Sequence, residues 1–212
     1  MLILTEAEFR ESAESSLRLV FLNDDPFNQR FAPDVPARRI IYEYFYRIEP
    51  PLLDAVVAAA SRVGDTGCYL SNLWRNKEQP EHPNHWYIHF SEISAYIAAD
   101  DKVFNNALTS ENVLYSPQGK WGVMMSHEHH GLLAGTHEFM EEICRLIPDL
   151  DRQVYGFLDY WKYWYSQGKS ADVTWLPGLL TQIYGRETAK AMLREAGLKS
   201  IWRKYSSELL FT

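Results

Sequence analysis

The residues His127-Glu128-His129-His130 put three of the chain's seven histidines beside a carboxylate. Imidazole ligates metals and exchanges protons near neutral pH, so hydrolytic or metal chemistry would be sought here first. The letters come close to the zinc-protease helix motif H-E-x-x-H, but the residue four after His127 is Gly131. Two ligands on a helix must lie one turn apart on one face, and Gly131 cannot be the second. Extended backbone offers another geometry. His127 and His129 then point to one side and can share an ion, with a third ligand from His85 or His89. Only one of those two can join, because four residues of strand span roughly 13 Å. In this reading His127 and His129 hold the metal and Glu128 is the general base of a metal-dependent hydrolase. The preferred reading is plainer: a solvated histidine turn, with no metal and no cofactor.

Other catalytic signatures are missing. No G-x-S-x-G elbow, G-x-G-x-x-G loop or Walker loop occurs, and a Ser–His–Asp triad cannot be read from sequence, since any Ser can be recruited in space. Cys68 and Cys144 have no second Cys nearby, which removes the C-x-x-C redox and zinc motifs. The reading leans away from an enzyme.

The second candidate is the aromatic run Tyr155–Tyr165, YGFLDYWKYWY. At helical spacing, Leu150, Val154, Phe157, Trp161 and Trp164 form a core-facing stripe. Tyr160 and Tyr163 then lie on its flank, where they are the candidate binding residues. A packed core helix is the simpler account. An interface anchor is the alternative, because Trp and Tyr join a large apolar body to a polar tip. Hydrophobic residues at 46% and aromatics at 14% exclude a disordered chain.

Charge narrows the partners. A net charge of -7 with scattered Lys and Arg repels a phosphate backbone, so nucleic acid is not expected. A basic protein or a cationic ligand is the easier partner. No apolar run has the length of a signal peptide or membrane span, which predicts a cytoplasmic protein with two reduced, buried thiols.

The elements that must position these residues follow from periodicity. Thr5 and Glu8 make a capping box for a helix over about Glu6–Leu22, followed by the ordered loop NDDPFNQRFAPDVP. Arg38–Ile48 is aromatic and helix-compatible. Pro50-Pro51 opens a helix over Leu52–Val63, ended by Gly64. From Gly67 the period becomes two. His85–Phe90 reads as a half-buried strand, with Trp86, Ile88 and Phe90 inward and His85, Tyr87 and His89 outward, and Ser91–Ala99 as a short helix. Asn112–Ser116, Trp121–Ser126 and Gly131–Ala134 then form an antiparallel meander, turning near Gln118-Gly119 and His129-His130. Thr136 caps a helix through Ile147. The last third is helical, with shorter helices at Pro177–Tyr184 and Glu187–Ala196.

The block LYSPQGKWGVMMSHEHHGLLAGTHEFM carries S-P-x-G-x-W-G and then G-x-x-x-F. It resembles the strand–turn–strand–turn–helix block of small cytoplasmic immunity-type proteins of bacterial toxin systems. The likeness covers about 30 of the 212 residues. It implies a protein that binds and blocks another protein, and it brings no catalytic residues with it. The sequence reading is therefore a single α+β domain over residues 1–212, an antiparallel meander sheet flanked by helices. Its expected function is non-enzymatic protein binding, in the manner of an immunity or antitoxin-like inhibitor, with a hydrolase at His127–His130 as the alternative.

Overall fold

Seven strands pair into one antiparallel sheet in the computed structural model, which describes residues 1–73, 83–98, 104, 110–167 and 172–208. They are β1 (Leu2–Leu4), β2 (Ala37–Tyr42), β3 (Gly67–Asn72), β4 (His85–His89), β5 (Asn112–Tyr115), β6 (Trp121–Met125) and β7 (His130–Gly135). Their spatial order is β1-β4-β3-β5-β6-β7-β2. The expected meander is its centre: Leu114 pairs with Val123, and Val123 with Leu133.

Every residue of β5, β6 and β7 is buried, because helices cover both faces of the sheet. Covered on both sides, a strand needs apolar residues at odd and even positions alike, so its sequence runs apolar without alternating. Met124, Leu132 and Ala134 join the core beneath the N-terminal and C-terminal helices. Val123, Met125 and Leu133 enter the opposite core, under α3 (Leu52–Arg62) and the helix that follows β7. The overall class is α+β.

The local signals explain most helix ends. Thr5 closes its capping box: its hydroxyl accepts from Glu8 N at 3.2 Å, and Glu8 Oε2 accepts from Thr5 N at 2.8 Å. The helix is shorter than the expected Glu6–Leu22. It runs as α1 (Glu6–Glu8), a π-helical turn over Phe9–Ala13 and α2 (Glu14–Arg18). The chain then bends so that both Val20 and Phe21 are buried, which one straight helical face would not allow. After β4 a short α4 (Ser94–Ala98) follows. Thr136 caps α5 (His137–Leu146), accepting from Phe139 N at 3.4 Å. The C-terminal helices are α6 (Gln153–Ser166), α7 (Leu176–Tyr184), α8 (Arg186–Glu195) and α9 (Lys199–Glu208).

Two expectations are corrected. The stretch Arg38–Ile48 is not a helix; it supplies β2, paired to β7 from Ala37↔Gly135 to Tyr42↔His130. Adjacent Ile40 and Ile41 enter opposite cores, which only an extended chain threaded between two layers permits. β4 is also not simply polar on one side. His85 is 1% exposed, packed under the N-terminal helix, while His89 stays exposed. Among the described residues no helix is long and apolar enough to cross a membrane.

Candidate functional site

The histidine turn is a tight bend over Ser126–His129, with His129 in the left-handed region at φ 57°. Left-handed backbone ends the alternation that would have aimed His127 and His129 at one ion. His127 Nδ1 instead meets Glu111 Oε1 at 2.7 Å, and its ring lies 5.2 Å from Phe27. His129 packs on Phe45 and Tyr160, at 4.6 and 5.5 Å. His130 is not part of the turn: it opens β7 and is fully buried. Gly131 follows because a Cβ there would sit 2.7 Å from Met125 Sδ and 2.9 Å from Ile41 Cδ1.

The proposed third ligands lie elsewhere. β4 is four strand spacings from β7, about 19 Å at ordinary sheet geometry. Among the described residues no group of three His, Cys, Asp or Glu side chains could hold a metal ion. The cysteines are free: Cys68 is buried, its thiol pushed up to about 12 by desolvation, and Cys144 is only half-buried, contrary to expectation. A raised thiol pKa is the reverse of nucleophile activation.

One arrangement imitates a catalytic relay. His85 Nδ1 meets Ser71 Oγ at 2.8 Å, His85 Nε2 meets Glu6 Oε1 at 3.1 Å, and Ser71 Oγ meets Tyr115 Oη at 3.1 Å. Phe9 stacks flat on the imidazole at 3.7 Å. Ser71 and His85 are each 1% exposed, and neither lines a described cavity. A nucleophile sealed from substrate does no chemistry, so this network holds β3, β4 and the N-terminal helix together.

An open groove of about 700 Å³ lies at the other end of the sheet, beside the histidine turn. α6 forms one wall with Tyr160, Trp161 and Trp164, which share a face at helical spacings of three and four. Phe27, Asn28 and His127 form the opposite wall, and Trp175 joins the two. Phe27 and Trp175 meet edge to face at 4.9 Å, and Trp161 and Trp175 at 5.2 Å. The carboxylates of Asp25, Glu128 and Asp172 complete the lining, and among the described residues no Lys or Arg contributes to it.

Short-range polar bonds hold this aromatic basin in shape. Asp25 Oδ1 accepts from Phe27 N at 2.8 Å and Asn28 N at 3.2 Å. Asp172 Oδ1 accepts from Thr174 N and Oγ1 at 2.9 and 2.6 Å, and Trp175 Nε1 donates to the Asp172 carbonyl at 2.8 Å. Such Asx turns fix loops that lack secondary structure. Beneath the groove His130 stacks on Trp175, at 5.5 Å and 17°. Burial drives its pKa down to about 4, so the ring is neutral at pH 7. Its Nδ1 lies 2.9 Å from Ser126 Oγ, whereas its Nε2 and the Nε1 of Trp161 have no hydrogen-bond partner among the described residues. Tyr160 has its pKa raised by burial and by the charge of Glu128.

The aromatic surface extends past the groove. Tyr160 touches Tyr42 at 6.1 Å and His129, which touches Phe45, itself 48% exposed. Glu43, Tyr46 and His129 all have positive φ, at 72°, 60° and 57°, and Glu43 N donates to the His129 carbonyl at 3.1 Å. Left-handed non-glycine residues cost on the order of 1 kcal/mol or more each and gather at functional sites. Of the two expected binding residues, Tyr160 lines the groove. Tyr163 does not: it is 57% exposed, on the next face of α6, with its ring against Trp164. Trp164, expected in the core, is half-buried at the groove wall.

No family model, curated protein or solved structure matches this chain.

Periodicity found Tyr160 because α6 is regular. Phe27, Trp175, Asp25 and Asp172 come from a loop and a helix entrance, where no period exists to be read. Their only local signal is the Asx-turn spelling of D-P-F-N and D-V-T-W.

Proposed function

We propose that this chain is a non-enzymatic protein-binding protein, an immunity-type inhibitor that works in the cytoplasm by occupying a partner's surface through the groove between α6 and the Phe27 loop. One observation carries the reading. The groove of about 700 Å³ joins partly exposed Trp, Tyr and Phe rings to carboxylates, and among the described residues it holds no nucleophile–base pair. Trp and Tyr at a concave, rigid site are the usual anchors of protein interfaces. The neighbouring left-handed backbone at Glu43, Tyr46 and His129 supports a docking role, since such residues gather at functional sites. The inhibitor assignment rests on the resemblance of residues 114–140, whose second turn forms the groove's edge. The net charge of -7 favours a basic partner.

The test begins with the protein encoded beside this chain in its own genome. The two are produced together, and complex formation is measured for wild type and for Trp164→Ala. Rescue of growth from that protein's toxicity, lost in Trp164→Ala while the variant remains folded, supports the reading. Tight association that is indifferent to Trp164 and Tyr160 moves the interface elsewhere and removes it.

A further inference from the structure

The lining of the groove has a chemical bias beyond its aromaticity. Ring faces carry negative charge and attract cations. Here the rings of Tyr160, Trp164 and Trp175 share one basin with Asp25, Glu128 and Asp172. Asp25 and Asp172 each engage backbone amides through Oδ1, and among the described residues no hydrogen bond uses Oδ2 of either. Both carboxylates are thus oriented in advance with acceptor capacity left over. Lys204 places its charge near Asp172, which lines both the groove and the adjoining cavity of about 240 Å³ that holds Lys204. Among the described residues no Lys or Arg lines the groove itself, so Asp25 and Glu128 carry most of its uncompensated negative charge.

We propose that the groove takes an arginine side chain presented on the surface of the partner protein, an assignment that rests on the docking reading above. Guanidinium is planar, weakly hydrated and forked, so it lies on indole and phenol faces while its edges reach carboxylates. An ammonium group is a compact, strongly hydrated point charge that gains less from flat walls. The occupant belongs to a protein because the aromatic surface continues beyond the basin, through Tyr160 to His129 and exposed Phe45. That belt has no use for a free amino acid, whereas a partner's surrounding surface would cover it.

The probe is N-acetyl-arginine amide, titrated into the full chain while the indole N–H signals of Trp164 and Trp175 are followed by NMR. N-acetyl-citrulline amide, the neutral isostere, and N-acetyl-lysine amide serve as comparisons. The arginine compound should move both indole signals saturably, with a dissociation constant on the order of 1–10 mM for one isolated anchor. Citrulline should bind at least about tenfold more weakly, because it keeps the shape and loses the charge. Asp25→Asn and Asp172→Asn should each weaken arginine alone, by about threefold. Equal binding of citrulline, lysine binding as well as arginine, or unmoved groove indoles would each overturn the proposal. Unmoved indoles with partner capture still lost in Trp164→Ala leave docking intact and remove the arginine. Arginine binding with capture untouched by Trp164→Ala removes the docking reading instead.

Discussion

Two serine–histidine pairs occupy opposite ends of the same sheet, and they differ in how completely they are satisfied. At β3 and β4, both ring nitrogens of His85 are hydrogen-bonded, Phe9 covers its face, and the ring is 1% exposed. At the start of β7, His130 shares Nδ1 with Ser126 and the Glu128 carbonyl, while its Nε2 has only the Pro26 carbonyl nearby and makes no close hydrogen bond among the described residues, under an open aromatic groove. The His85 pair has the form of a catalytic relay and is a structural tie. The His130 pair lies beneath the groove, with its ring stacked on Trp175. A hydrogen-bonded constellation is functional only if something outside the protein can reach it, whereas an unpaired buried polar atom costs about 1–3 kcal/mol that ordinary packing would have avoided.

The largest expected effect tests the tie. His85→Ala removes a buried ring and its bonds to Ser71 and Glu6, so it should lower unfolding free energy by about 3–5 kcal/mol, read by urea denaturation. The partner affinity of the folded fraction should not change. A fall in affinity without a fall in stability would reverse the roles of the two regions.

Acid should next weaken the groove end through His130. Its folded pKa is about 4 and its unfolded value near 6.5, so only the unfolded chain takes up this proton between those limits. Stability is therefore fully present above the unfolded value and lost as pH falls toward the folded one, by about 3 kcal/mol at most. His130→Gln should flatten the stability–pH curve across pH 6.5 to 4. An unchanged curve would mean the ring titrates normally and is not sealed from water.

A smaller change should follow from Trp164→Ala: about 2 kcal/mol of partner binding, with stability altered by less than about 1 kcal/mol. Tyr163→Ala comes last, within about 0.5 kcal/mol on both measures, because its ring is exposed and outside the groove. An effect of Tyr163→Ala as large as that of Trp164→Ala would extend the interface along α6.

The meander of β5, β6 and β7 was legible because apolar runs are split by unmistakable turn residues, and Gly119 does take the positive φ its turn needs. β2 was not, since Arg38–Ile48 suits either state and only its placement between β7 and two cores selects the strand. β1 has three residues, too few to show a period. For the site, α6 announced Tyr160 and misplaced Trp164, because a core stripe and a groove wall share one spacing. Reading His127 and His129 as ligands assumed extended backbone, and the left-handed His129 removed that assumption. The groove itself depends on residues brought together from the 23–29 loop, the β6–β7 turn, α6 and Trp175, a proximity that tertiary structure alone creates.

In the proposed function the groove binds the partner and the buried Ser71–His85 relay only supports the sheet. That division of roles is tested most directly by measuring partner affinity and melting temperature together for Trp164→Ala and His85→Ala. Trp164→Ala should bind about thirtyfold more weakly with its melting temperature shifted by no more than about 4 °C, and His85→Ala should melt at a clearly lower temperature with unchanged affinity. Unchanged affinity in Trp164→Ala, with lost function in a fully folded His85→Ala protein, would contradict it.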